Sequence, residues 1–147
     1  MFKRILIATD GSPLSHQAVA HGVALAKSLG ASVVGFHNRI PFSTIYYGEQ
    51  LIFPPSTESQ YDRETQKLSE KYLGEIEAHT SRAGVDYKGV DSSMPSTSEE
   101  IIRVAEKNEC DLIIMASHGR KGIARIMLGS EANLVLTHST IPVLITR

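Results

Sequence analysis

Leu112-Ile113-Ile114-Met115-Ala116 is the most apolar run in the chain, and Ser117-His118-Gly119 stops it at once. A short continuous apolar run bounded by turn residues reads as a strand buried on both faces, the pattern of a parallel sheet. Ile5-Leu6-Ile7-Ala8 repeats that pattern near the start and ends at Thr9-Asp10-Gly11-Ser12-Pro13. Ser12 suits an N-cap and Pro13 the first helical position, where a missing N–H costs nothing. Leu14, Ala18, Gly22, Leu25 and Leu29 then recur at helical steps, and Gly30 supplies a left-handed stop.

The same alternation continues outward. Ala31 to His37 reads as a second strand. Residues 61–83 carry Tyr61, Leu68, Tyr72 and Ile76 at helical spacing, stopped by Ala83-Gly84. Val85 to Val90 alternates like a half-exposed third strand. Ser96-Thr97-Ser98-Glu99 has capping-box spacing, and a helix follows through Ile101, Ile102, Val104 and Ala105. A last helix spans about 130–138, and Ile141 to Thr146 is the final strand.

Five strands alternating with four helices predict a single open parallel α/β sheet with helices on both faces. Strands 1 and 4 are continuously apolar and belong at the centre. Strand 3 alternates, and strand 5 contains Pro142, which cannot donate within a central ladder. The order 3-2-1-4-5 satisfies both constraints. It puts the topological switch between strands 1 and 4, where ligands bind beyond the strands' carboxyl ends. Ala8-Thr9-Asp10 and Met115-Ala116-Ser117-His118-Gly119 are therefore expected to face each other there.

The segment 38–59 breaks the pattern. Pro41, Pro54 and Pro55 punctuate it, and it holds four of the nine aromatics: Phe42, Tyr46, Tyr47 and Phe53. It is either an extra packed segment, against the domain or a partner subunit, or a lid over the site.

Composition bounds the function. With 147 residues, 41% hydrophobic and 21% charged, the chain suits one globular domain, 1–147. Its formal charge of −1 gives no global field for gripping DNA or an anionic membrane. Cys110 is the only cysteine, so no intramolecular disulfide forms, and it reads as a small buried residue. The first apolar run is too short for a signal peptide, and none reaches the ~18 residues of a membrane span. A cytoplasmic protein is expected.

Gly119, Gly122 and Gly129-Ser130 mark the connection from strand 4 to the last helix. Arg120, Lys121 and Arg125 add three positive charges before the next acid, Glu131. A glycine backbone approaches an anion closely, and the N–H groups of a helix start attract one. The same glycines would also serve simply to shape a βα connection. Asp10, across the switch, suits ribose hydroxyls and equally suits capping the next helix. No G-x-x-x-x-G-K-[ST] occurs and no G-x-G-x-x-G follows strand 1, so neither a P-loop NTPase nor the common dinucleotide fold is indicated. A phospho-acceptor receiver would need clustered acids after strand 1. None of the six histidines has a metal-site spacing, and no G-x-S-x-G elbow surrounds Ser117 or Ser130.

These residues resemble the universal stress protein family over nearly the whole chain. The resemblance rests on Lys3 to Ser12, the strand ending in His37, Asp111 to Gly119, Leu128-Gly129-Ser130 and Ile141 to Ile145. The family's nucleotide-binding branch carries G-x2-G-x9-G-[ST]. Here Gly119, the nine residues Arg120 to Leu128, and Gly129-Ser130 match it, while Ala116 replaces the first glycine. The resemblance implies an adenine nucleotide alpha hydrolase-like fold that binds ATP or another adenine nucleotide, with Mg2+ as a candidate companion ion. It implies that Asp10 binds the ribose, the Asn38 backbone meets the adenine edge, and Ala8 and Met115 line the adenine pocket. Gly119, Gly129, Ser130 and the N–H of Glu131 would cradle the phosphates. Arg120 is added from its charge and position alone. The family also implies a homodimer, paired through strand 5 (Pro142 to Thr146), whose exposed edge is a template for pairing. The expected function is a dimeric ATP-binding regulator of the stress response. The alternatives are a dimeric interaction module with a degenerate pocket, which Ala116 keeps open, and a slow ATPase.

Overall fold

The computed structural model describes residues 1–46, 57–119 and 127–147. Five strands form one parallel sheet: β1 (Arg4–Ala8), β2 (Ser32–Arg39), β3 (Tyr87–Ser93), β4 (Leu112–Ala116) and β5 (Val143–Thr146). The order is β3-β2-β1-β4-β5, as the burial pattern of the sequence predicts. The helices are α1 (Pro13–Leu29), α2 (Phe42–Tyr46), α3 (Glu58–Ala83), α4 (Thr97–Lys107) and α5 (Ser130–His138).

The strand pleat divides the core in two. Leu6, Ala8, Val34, Phe36, Ile113 and Met115 face α4 and α5, meeting Ile101, Val104, Ala132 and Val135. Ile5, Ile7, Val33, Leu112 and Ile114 face α1 and α3, meeting Val19, Val23, Ala26 and Ile76. Every residue of β4 is buried, so its unbroken apolar run reflects helices on both sides.

The elements differ from the sequence reading at several points, and β2 runs Ser32–Arg39 instead of 31–37. α3 begins at Glu58, before the predicted 61, because the Thr57 side chain accepts from the Gln60 N–H and caps it. β3 runs from Tyr87 to Ser93 instead of 85–90, because His37, Asn38 and Arg39 of β2 pair with Asp91, Ser92 and Ser93. β5 begins at Val143, after Pro142. A fifth helix, α2, occupies part of the aromatic segment 38–59. The rest of that segment, 47–56, lies outside the described residues, and with it the choice between lid and packed segment.

Candidate functional site at the switch point

The β1 ladder to β2 ends at Ala8 and Phe36, and the Thr9 N–H donates to the Phe36 carbonyl at 2.9 Å. The chain then turns sharply. Asp10 Oδ1 accepts from the Ser12 N–H at 2.9 Å, which fixes the carboxylate beside its own backbone. Asp10 therefore shapes the turn, while Ser12 is the N-cap of α1, accepting from the Ser15 N–H. Ser15 donates its hydroxyl to the Ser12 carbonyl at 2.8 Å. Its oxygen lies 3.2 Å from Thr9 Oγ1, so Thr9 is the donor of that pair. Gly11 completes the turn at φ +72, a left-handed conformation that a side chain strains.

Across the switch, β4 ends at Ala116. The Ser117 N–H donates to the Thr146 carbonyl, and the Gly129 N–H donates to the Ser117 carbonyl at 2.8 Å. That second bond closes the base of the connection between β4 and α5. A Cβ at Gly129 would lie 2.8 Å from the Ser117 carbonyl oxygen, so the contact needs glycine. His118 Nδ1 meets Ser117 Oγ at 3.1 Å, within the turn itself. Gly129 caps α5 without a side chain, leaving the first N–H groups of that helix to other acceptors.

The two segments meet. A Cβ at Gly119 would stand 2.5 Å from Asp10 Oδ2. Between them and β2 lies a cavity of about 510 Å³. Ala8 lines it from β1 and Asp10 from the turn beyond, Asn38 from β2, Met115 and Ala116 from β4, and Gly119 from the turn after it. Gly129, Ser130 and Glu131 line it at the start of α5. Arg120 lies outside the described residues. Ala116 is not at positive φ, so a methyl group there costs no backbone strain.

Sequence reading missed a wall. Thr97 and Ile101 of α4, with Phe36, His37 and Ile40 of β2 and its exit, also face the cavity. The capping box at Ser96 was the available signal. In a parallel sheet the turn after β3 opens at the same edge as those after β1 and β4, so α4 starts beside the cleft.

His37 is held from behind. Ser69 Oγ donates to Asp91 Oδ1 at 2.5 Å and lies 2.9 Å from His37 Nδ1. Arg39 pairs with Asp91 through Nε and Nη2. The Tyr72 ring meets His37 edge-on at 5.2 Å between centroids.

An open doubly wound sheet with a cleft at its switch point, walled by a glycine-bearing turn and a helix start, defines an α/β domain of the kind whose ligands sit at that switch. The chain belongs to the universal stress protein family, whose model matches residues 1–147. A universal stress protein from Thermus aquaticus is 31% identical, with 100% of each chain covered. The solved structure of MJ0577 superposes with a TM-score of 0.76 at 27% identity, covering 99% of this chain and 96% of that one. A universal stress protein in complex with cAMP gives 0.72 at 21%, covering 99% and 97%. One from Archaeoglobus fulgidus in complex with dAMP gives 0.66 at 16%, covering 99% and 98%.

No helix of the described residues is long and apolar enough to cross a membrane.

Proposed function

We propose that the protein binds an adenine nucleotide, ATP in the first instance, in the switch-point cavity and acts as a dimeric regulator. The observation that carries this is the meeting of Asp10 with Gly119 on one rim of a cavity whose other rim is the start of α5. About 300–1,000 Å³ is the usual range for a small-molecule site, and this one falls inside it. The family relatives solved with cAMP and dAMP support an adenylate.

The residues fit such a ligand. Ala8 and Met115 offer an apolar slot for the base, and Asp10 a carboxylate for sugar hydroxyls. Gly119 lets the Asp10 carboxylate, and Gly129 the Ser117 carbonyl, come close to the backbone, which shapes the phosphate end. The N–H groups of Ser130 and Glu131, with the helix dipole, favour negative charge. Arg120 would add a cation. Mg2+ would be held mainly by phosphates and water, since it keeps much of its hydration shell. The nucleotide itself supplies charge and shape to the cavity; the chain orients it. The dimer would form through β5, which pairs with β4 on one side and carries Leu144, 41% accessible, on the face opposite Val143 and Ile145.

Titration calorimetry with ATP, with and without Mg2+, tests the reading. Saturable binding that weakens in Asp10→Ala supports it. No heat at millimolar ATP, with none restored by Ala116→Gly, overturns it. Light scattering on wild type and Leu144→Arg tests the dimer, expected to be a dimer and a monomer respectively.

A further inference from the structure

We propose that the Asn38 carboxamide is a positioning residue that sets the gap between the end of β2 and the start of α4, where the base would sit. The inference rests on the nucleotide reading for its ligand and on this structure for its geometry.

Asn38 pairs with Ser92 of β3 through the sheet, and its side chain reaches one step further. Nδ2 donates to the Met94 carbonyl at 2.9 Å and to Thr97 Oγ1 at 2.9 Å. Oδ1 accepts from the Met94 N–H at 3.0 Å. The amide orientation is fixed, because only an oxygen satisfies the Met94 N–H and only an NH2 satisfies its carbonyl. Both amide hydrogens and the oxygen are thereby used. The carboxamide acts as a short surrogate strand beside Met94, beyond the last residue of β3.

Its position gives this pairing a consequence. Asn38 is 8% exposed, so a lost partner leaves a desolvated polar group. Thr97 is the first residue of α4, and Thr97, Ile101 and Asn38 all line the cavity. The Asn38 amide thus ties the β2 wall directly to the α4 wall. The start of α5, expected to take phosphates, lies outside the hydrogen bonds of this brace. A device that shapes the base slot while leaving the phosphate end alone predicts a selective defect.

The variants are Asn38→Leu, which keeps approximate size without charge and loses the whole brace, and Thr97→Val, which keeps shape but loses the acceptor. Thr97→Ser keeps the acceptor and serves as the rescue. Competition against a fluorescent ATP analogue reads the affinity of each for ATP and for inorganic tripolyphosphate. In Asn38→Leu and Thr97→Val the Kd for ATP is expected to rise about tenfold, while tripolyphosphate competes as in wild type. Thr97→Ser is expected to retain most of the ATP affinity. Unchanged ATP affinity, parallel loss of tripolyphosphate, or a Thr97→Ser defect as large as that of Thr97→Val overturns the proposal. If Asn38→Leu does not fold, the Thr97 pair decides. If wild type takes no ATP, the nucleotide reading fails and the slot role with it. The brace is then judged by amide exchange at Met94, whose N–H loses its acceptor in Asn38→Leu, and unaltered protection there overturns that too.

Discussion

Asp10 and Gly119 approach so closely that any side chain at 119 would begin 2.5 Å from the Asp10 Oδ2 oxygen. The residues are far apart in sequence, and their meeting brings the turn after β1 against the turn after β4. Asp10 cannot retreat freely, because its other oxygen accepts from the Ser12 N–H at 2.9 Å. Gly119→Ala is therefore expected to rotate the carboxylate away from the cavity. Its signature is weaker nucleotide binding, by about tenfold if a charge-assisted hydrogen bond is lost, with a small change in melting temperature. Calorimetry beside thermal melting separates the two. A large melting shift with intact binding would contradict this role for the contact.

Gly11 and Tyr72 make the converse case, in which stability is at stake. Gly11 sits at φ +72, and a Cβ there would stand 2.2 Å from Tyr72 Cε1. Tyr72 is 5% exposed and has little room to move. Gly11→Ala combines left-handed strain with overpacking, an expected loss of roughly 2–4 kcal/mol in urea denaturation. Tyr72→Ala removes the obstacle and leaves the strain. The double variant should therefore be less destabilised than the sum of the singles, and simple additivity would refute the clash.

The fold was readable because burial wrote itself into the sequence. Leu112 to Ala116 lacks alternation since both faces of β4 are covered, and Pro142 marked the edge next to β5. Ser12-Pro13 and Gly30 bound α1 through backbone requirements that few residues meet. The cavity residues of the β1 and β4 turns were legible for the same reason: topology alone sends both turns to one edge. Thr97 and the Asn38 side chain were not legible. Their hydrogen bonds join residues 38, 94 and 97, and no local pattern distinguishes an asparagine that braces a turn from one that faces water. Strand 3 was read too short because Asp91, Ser92 and Ser93 are polar, and their place in the sheet is set by pairing with β2.

His37 carries a prediction about a proton. The Ser69 hydroxyl has one hydrogen, and it goes to Asp91, whose charge is matched by Arg39. The Ser69 oxygen can then only accept from His37, so Nδ1 bears the ring hydrogen. Long-range proton–nitrogen NMR at mildly alkaline pH should show a protonated Nδ1 and an unprotonated Nε2. Ser69→Ala removes the acceptor and should shift the ring toward the opposite tautomer. An Nε2–H ring in the wild type would show that the hydrogen-bond directions run the other way.

Alkaline conditions should destabilise the protein through groups held in their neutral forms, Cys110 and Tyr87 foremost, with burial also raising Tyr61. Burial pushes the Cys110 thiol up to about 11, with Asp111 adding to the shift and Arg4 and Lys88 opposing it. Burial, with Glu77 nearby, pushes the Tyr87 hydroxyl up to about 12. That hydroxyl donates to the Leu73 carbonyl at 3.0 Å, a bond that ionisation destroys. Both folded values exceed the ordinary ones of 9.0 and 10.0, so the unfolded chain releases these protons first. Their stabilisation is complete below pH 9, declines as Cys110 titrates toward 11, and declines further as Tyr87 titrates toward 12. Urea midpoints across this range should fall in that order. Tyr87→Phe lacks the ionisable hydroxyl, so its curve should start lower, fall less steeply than wild type above pH 10 and flatten past about 11, once Cys110 has titrated. A parallel decline in wild type and Tyr87→Phe would place the alkaline sensitivity elsewhere in the fold.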